Sequence, residues 1–202
     1  MNIIDRDVWG ANPPKTAYSK NIAKKMNLAV HYTAMATAVD YEDELKQLKN
    51  IQKFHQIQNG WNDVGYSFLV GNTGNVYEGR GFGNRPASQG TNAGNKNYYS
   101  ICWLGDAAGT PSKEALDSIK QLWKQIGGEI KPHKVFKKTS CPGLYLTTWI
   151  DSLSVLKEIL EEKELSNKDT QDTLISSLVE ERLTKLEKDL AGIRKIINKR
   201  IT

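Results

Sequence analysis

Cysteine is scarce in this chain, which limits how the fold can be held together. The 202 residues include only two cysteines, Cys102 and Cys141, too few for the disulfide framework that staples small secreted domains. Cys102 lies in the apolar run 100–104, so we expect it to be buried in a central strand. A disulfide between the two cysteines is the alternative. The cysteine count therefore gives no indication of an oxidising compartment.

Long apolar segments are also missing. No run approaches the roughly 20 apolar residues that a membrane-spanning helix needs, so we expect no membrane span. Residues 1–7 lack the basic start and the apolar core of a secretory signal peptide. We therefore expect the protein to be made in the cytoplasm, without a signal peptide. A length of 202 residues is enough for one domain with a sizeable core and a smaller segment beside it.

Acidic residues are outnumbered, and the excess of positive charge lies in the first three quarters of the chain. The net charge is +5; residues 1–150 contain 18 Lys and Arg against 12 Asp and Glu, and residues 151–202 contain 10 against 11. The basic residues form no compact run with interleaved aromatics, so we expect no nucleic-acid partner. Another anionic polymer fits this charge, and so does a mildly basic domain without a charged partner.

Alternating strand-like and helix-like segments predict a mixed α/β fold, with a central β-sheet flanked by helices. Gly60 and Gly127 are placed to end two of the helices. Residues 81–97, rich in Gly, Asn, Ser and Pro, predict a long surface loop, and 133–141 predict an irregular segment. The predicted strands are 26–33, 66–70, 75–78 and 98–104, and the predicted helices are 40–59, 112–126 and 146–163.

The last quarter of the chain differs from the rest, and we predict a domain at 1–165 followed by a helical tail at 166–202. After the polar residues 166–169, six apolar residues recur at spacings of 4, 3, 4, 3 and 4, which is typical of a coiled-coil seam. We expect the seam to join copies of the chain through residues 170–200, with packing on its own domain as the alternative. The six residues are Val179, Leu183, Leu186, Leu190, Ile193 and Ile197.

Three residues of metal-binding types lie in distant parts of the chain. His31 ends an apolar run, and His133 and Cys141 lie close together about a hundred residues later. Catalytic zinc is commonly held by three protein ligands with a fourth position open, whereas structural zinc sites are closed. Closed sites often use CxxC or HxxxH pairs, which this chain lacks. The pattern fits a catalytic metal, but a lone histidine or cysteine is more often simply buried in the core, so the three residues alone do not decide between the two.

Several short motifs, taken together and in order, resemble one protein family. The sequence is similar to the type 2 zinc N-acetylmuramoyl-L-alanine amidases, which share a fold with the peptidoglycan recognition proteins and many bacteriophage endolysins. The resemblance covers about residues 3–150 and does not reach the tail. The motifs are RDVWGA at 6–11, VHYTA at 30–34, IQKFH at 51–55, GWNDVGYSFLV at 60–70, GNVYEGRG at 74–81 and TSCPG at 139–143.

The resemblance implies a hydrolase of bacterial peptidoglycan that cuts the amide bond between N-acetylmuramic acid and L-alanine. It implies one Zn²⁺ per chain, bound by His31, His133 and Cys141. Tyr66 and Thr139 are implied to act in catalysis, by steering and stabilising the reacting groups. The implied substrate-binding residues are Trp61, Asn62, Arg80 and Asn92.

Some positions close to these motifs are less clear. His55 matches a histidine of the family that is not a ligand, so we interpret it as structural. Lys137 and Lys138 could bring positive charge to the site, although solvated loop lysines are the simpler interpretation. Relatives often carry a histidine within the segment that corresponds to 82–97, and here residues 89–93 replace it. Substrate contacts on this wall therefore stay open.

The resemblance also favours a phage or prophage endolysin, which would act on the cell wall after release or delivery by another factor. The alternatives are a recognition module that binds peptidoglycan without cutting it, and a wall-binding part of a virion. Relatives without catalysis typically lack the cysteine ligand, and Cys141 and Tyr66 are both present here.

Overall fold

The computed structural model describes residues 2–20, 26–166 and 180–191. The chain divides into two units, at 1–150 and 151–202. The strands are β1 (Ile3–Ile4), β2 (Asn27–Tyr32), β3 (Phe68–Val70), β4 (Val76–Glu78), β5 (Tyr98–Trp103) and β6 (Ile130–Pro132). The helices are α1 (Tyr41–Lys53), α2 (Asn92–Asn97), α3 (Lys113–Ile126) and α4 (Leu144–Ser166), with a π-helical turn at Phe54–Gln58 and a 3₁₀ turn at His133–Val135.

Six strands of the described residues form one mixed sheet, in the order β1-β4-β3-β5-β2-β6. β3 and β4 pair antiparallel, and every other pair of neighbours is parallel. The interior strands β2 and β5 are buried along most of their length, as parallel strands covered by helices usually are. The mixed α/β sheet that the sequence predicts is confirmed.

Capping residues explain where the long helices of the first unit begin and end. Asp40 caps α1 by accepting a hydrogen bond from the Asp43 amide, and Ser112 caps α3 in the same way from the Ala115 amide. Such caps satisfy amides that have no partner inside the helix. Gly127 ends α3 with a φ of 77°, in the left-handed region that glycine enters without strain. The predicted helices at 40–59 and 112–126 therefore agree closely with the structure.

The segment 81–97 differs from its prediction as a surface loop. Its last residues form the short helix α2, which Thr91 caps through the Gly94 amide. Gln89 is fully buried, and its side-chain amide donates to the Tyr98 carbonyl at 3.0 Å. A polar composition predicts exposure only when the polar groups lack partners inside the protein, and here the neighbouring strand supplies one. The strand predicted at 66–70 also starts later, at Phe68.

The C-terminal part of the chain is described only in pieces. Residues 180–191 are helical, and Leu183 and Leu190 expose 46% and 47% of their surfaces. Val179, Ile193 and Ile197 of the predicted seam lie outside the described residues. The coiled-coil tail therefore stays a prediction. None of the helices in the described ranges combines the length and apolar character that crossing a bilayer requires.

A buried carboxylate ties the N-terminal segment to the loop that precedes β3. Asp63 is fully buried and forms an ion pair with Arg6 at 2.8 Å. Its oxygens also accept hydrogen bonds from the Gln52 side chain and the Val64 amide, both at 2.6 Å, and from the Tyr18 hydroxyl. Because a buried charge is costly unless it is paired and hydrogen-bonded, this set of partners is what makes the carboxylate tolerable.

We predict that Asp63→Ala lowers the free energy of unfolding by about 3–5 kcal/mol, because it strands the largely buried Arg6 guanidinium without a counter-charge. Urea denaturation of the purified variant measures the loss. The matched control is Asp117→Ala, which removes the same side chain from an exposed ion pair with Lys113 and should leave the midpoint nearly unchanged. Equal midpoints for the two variants would contradict the structural importance of Asp63.

Candidate metal centre

Three side chains with metal-binding atoms meet at one edge of the sheet. His31 lies near the carboxyl end of β2, and His133 directly follows β6. β2 and β6 are parallel neighbours, with Val30 opposite Pro132, so their carboxyl ends place the two histidines together. Cys141 joins them, and the ligand atoms of the three residues lie within 4.8 Å of one another. The structure thus brings together the three residues that the sequence analysis names as ligands.

The chemical state of the two imidazoles suits a metal. Both are in contact, with ring centroids 4.2 Å apart. Burial lowers the pKa of His31 well below its ordinary value and lowers that of His133 as well, so both rings are neutral and can donate an electron pair. Nε2 of His31 and both ring nitrogens of His133 are buried without a hydrogen-bond partner. A cation bound among the three residues fits this arrangement, because unpaired buried polar atoms are otherwise costly.

The sulfur of Cys141 is held beside β2 by the backbone. The Tyr32 amide donates to Sγ at 3.4 Å, and Sγ lies 3.9 Å from Nδ1 of His31. A second contact joins the Tyr32 and Ser140 hydroxyls at 3.0 Å. Burial raises the pKa of the Cys141 thiol to about 12, so a thiolate at this place requires a cation next to it.

Tyr66 stands beside the histidines because its backbone is fixed by the segment after β4. The Arg80 amide donates to the Tyr66 carbonyl at 2.9 Å. A side chain at Gly79 would come within 2.4 Å of that carbonyl, so only glycine permits the approach. The Tyr66 ring lies 5.3 Å from the His31 ring, and burial raises the pKa of its phenol well above the ordinary value. The hydroxyl is therefore protonated and able to donate a hydrogen bond.

His55 does not join the other two histidines. Its Nδ1 accepts a hydrogen bond from the Gly65 amide at 3.1 Å, and burial lowers its pKa to about 4. Its ring packs on Trp61, with centroids 4.7 Å apart. A side chain at Gly65 would collide with the Trp61 ring at 2.7 Å. His55 thus holds the backbone just before Tyr66, as its structural interpretation expects.

A cleft of about 370 Å³ opens onto the three ligand residues, and several of the sequence-predicted residues line it. Tyr66, Thr139 and Trp61 all face this space. Thr139 Oγ1 accepts a hydrogen bond from the Cys141 amide at 3.2 Å, which leaves its own proton free to donate. A second cavity of about 370 Å³ shares Tyr66 and continues along the end of α1, where Phe54 forms part of its wall.

Asn62, Arg80 and Asn92 lie elsewhere and bind other parts of the protein. Asn62 exchanges hydrogen bonds with the backbone of Thr16, at 2.6 and 2.8 Å. Arg80 donates to the Val64 and Arg85 carbonyls at 2.8 and 3.0 Å. The side-chain oxygen of Asn92 accepts a hydrogen bond from Arg85. In this structure none of the three lines the cleft.

Some residues that line the cleft could not be identified as site residues from the sequence. Ala87, Ser88 and Gly90 also line the cleft, in the segment that departs from the family pattern. Small side chains have no distinctive chemistry, so composition alone could not single them out. Lys137 also lines the cleft, whereas the neighbouring Lys138 does not.

Comparison with known proteins agrees with the fold. A family model described as N-acetylmuramoyl-L-alanine amidase matches residues 25–144. Peptidoglycan-recognition protein LB of Drosophila melanogaster is 33% identical over 161 residues, which cover 74% of this chain and 68% of that protein. The solved structure of wild-type Drosophila PGRP-LB matches with a TM-score of 0.69 and 30% identity, over 75% of this chain and 93% of that one.

A further solved structure carries a ligand. It contains peptidoglycan recognition protein LE in complex with tracheal cytotoxin, a monomeric diaminopimelic acid-type peptidoglycan. It matches with a TM-score of 0.66 and 27% identity, over 71% of this chain and 89% of that one. With the family model covering more than half of its residues, the chain belongs to the N-acetylmuramoyl-L-alanine amidase family, which is related to the peptidoglycan-recognition proteins.

Proposed function

We propose that this protein is a zinc-dependent N-acetylmuramoyl-L-alanine amidase that hydrolyses bacterial peptidoglycan. The observation that carries the proposal is the meeting of His31, His133 and Cys141 within 4.8 Å at the floor of an open cleft. Two neutral imidazoles and one thiol are a donor set that suits zinc. A zinc ion held there supplies Lewis-acid chemistry, since Zn²⁺ polarises carbonyl groups and acidifies water.

Two side chains of the cleft are placed to assist the hydrolysis of an amide. The Tyr66 hydroxyl, kept protonated by burial, can donate a hydrogen bond to the carbonyl oxygen as negative charge develops on it. Thr139 has a similar role from the side of Cys141, because the Cys141 amide occupies one of its lone pairs and leaves the hydroxyl proton available. Both residues act as donors, and neither needs to change charge before the reaction.

The names and ligands of the relatives support peptidoglycan as the substrate. The two cavities that meet at Tyr66 provide room for a branched molecule, with one arm over the ligands and the other along the end of α1. A second candidate function is recognition of peptidoglycan without cleavage, favoured by the recognition proteins among the relatives. Hydrolysis is the stronger proposal because the complete donor set lies beside Tyr66.

The tail adds a second part to the proposal. We infer that residues 170–200 join copies of the chain, since Leu183 and Leu190 of the helix at 180–191 are almost half exposed and need a partner surface. Several amidase domains on one stalk would bind a polymeric wall more tightly by avidity. Such an enzyme suits a lytic role of the endolysin type, acting on the wall after its release.

We predict that the purified protein contains one zinc per chain and releases fragments with a new N-terminal L-alanine from bacterial cell walls. Cys141→Ala should lose most of the metal and the activity, because a site with two histidines binds zinc weakly. Elemental analysis and mass spectrometry of the digested walls measure the two effects. The control is Cys102→Ala, which removes the other buried cysteine outside the ligand set and should keep the metal.

Metal content and full activity in the Cys141→Ala protein would refute the ligand assignment. Bound zinc in the wild type without any new alanine N-terminus would instead favour the recognition module.

We predict that Tyr66→Phe keeps the zinc and the affinity for cell walls but lowers kcat by about 100-fold, if the hydroxyl acts in the transition state. Initial rates with soluble muramyl peptides, together with a sedimentation assay for wall binding, separate the two quantities. Tyr98→Phe is the matched control, since its hydroxyl lies at the surface near Glu129 and away from the cleft. An unchanged kcat in Tyr66→Phe would reduce Tyr66 to a packing residue.

For the tail, we predict that the full chain associates at micromolar concentration and that a shorter chain ending at Leu165 is monomeric. Light scattering coupled to gel filtration gives the mass of each. The double substitution of Leu183 and Leu190 by Gln should reduce the full chain to the mass of its monomer while leaving the amidase domain unchanged. If full-length protein and truncation are both monomers, the tail does not join copies of the chain.

A further inference from the structure

The cleft that opens onto His31, His133 and Cys141 is unbalanced in charge. None of the residues that line it is acidic, and Lys137 is the one lining residue with a permanently charged side chain in the part of the chain that the structure describes. A cleft with one cation and no carboxylate attracts anionic groups and repels cationic ones. The natural complement of Lys137 is therefore an anionic group on the molecule that occupies the cleft.

The side chain of Lys137 lies against Gly90. The stem of the side chain passes over Gly90, where a Cβ atom on residue 90 would lie 2.9 Å from Cδ of Lys137. Gly90 has a φ of 74° and no side chain, so it leaves space for this stem. The long aliphatic part can rest on the protein while the ammonium group stays in the solvent of the cleft.

The ammonium group of Lys137 has no acidic partner of its own. The ion pairs among the described residues are Arg6 with Asp63, Lys113 with Asp117, and Lys131 with Glu129. Lys137 is also close enough to His133 to oppose its protonation, as a smaller effect beside burial. An unpaired cation facing a binding cleft is available to a ligand without first breaking a contact within the protein.

Lys138 provides the contrast. Like Lys137 it is exposed, and it is the next residue in the sequence, but it does not line the cleft. The sequence does not distinguish the two lysines, whereas in the structure Lys137 lies against Gly90 and lines the cleft and Lys138 does not line it.

We propose that Lys137 binds a free carboxylate of the stem peptide and so selects substrates that carry this carboxylate over those in which it is amidated. The proposal rests on peptidoglycan as the ligand of the cleft, which is the proposed function. A peptide stem offers carboxylates on its acidic residues and at its end, and a lysine ammonium binds each of them as a point charge. Lys137 thereby acts in substrate specificity, apart from the metal chemistry.

The experiment uses muramyl tetrapeptides in which each carboxylate in turn is replaced by a carboxamide. For the wild type, amidation of one particular carboxylate should raise KM by about 5–10-fold with little change in kcat, the effect of one charge-assisted contact at a partly solvated site. Lys137→Gln should raise KM for the unmodified peptide by the same factor and lose the discrimination. Lys137→Arg should keep it, and Lys138→Gln is the control that should behave as wild type.

Calorimetry makes the same comparison for binding alone. It uses the free stem tetrapeptide and its amidated forms, which lack the bond to N-acetylmuramic acid that the amidase would cut. If wild type hydrolyses none of the substrates, the proposed amidase activity fails, and these affinities still test Lys137. A carboxylate preference that persists in Lys137→Gln, or that disappears equally in Lys138→Gln, overturns the assignment. So does a wild type that is indifferent to amidation at every position.

Discussion

The parallel pairing of β2 with β6 is the constraint on which the rest of the site depends. Its register sets Val30 opposite Pro132, and His31 and His133 are the next residues along the two strands. A slip of one residue would send His31 to the opposite face of the sheet. β2 also positions Cys141. The amide of Tyr32, one residue beyond His31, donates a hydrogen bond to the Cys141 sulfur.

The part of the cleft around Tyr66 is built by the close approach of backbone segments at glycines. The missing side chain of Gly79 lets the backbone after β4 approach the Tyr66 carbonyl. The missing side chain of Gly65 leaves space for the Trp61 ring. Nδ1 of His55 accepts a hydrogen bond from the Gly65 amide. The buried Asp63 connects this region to Arg6 in the N-terminal segment. A residue at the start of the chain therefore takes part in holding Tyr66 in place, although it lies far from the cleft in sequence.

The main helices and the three proposed ligands could be predicted from the sequence. The spacing of apolar residues and the capping residues predict α1 and α3. Asp40 and Ser112 cap these helices by bonding amides only three residues away, so a local pattern is enough to reveal them. The family motifs named the three residues that now lie together. Asn62 and Asn92, which the resemblance implies for the substrate, have partners within the protein, the Thr16 backbone and Arg85, and their role toward a substrate stays a prediction. Whether an amide faces a ligand or the protein depends on distant backbone groups, which no local pattern reveals.

The unpaired ring nitrogens of His31 and His133 also bear on how the chain folds. The folded protein brings these donors together, and the unfolded chain holds them far apart. A cation that binds only the folded form raises the free energy of unfolding by mass action, and the gain grows with the logarithm of its free concentration once the site is nearly filled. Metal supply would then influence how much of the protein survives proteolysis, as well as how much of it is active.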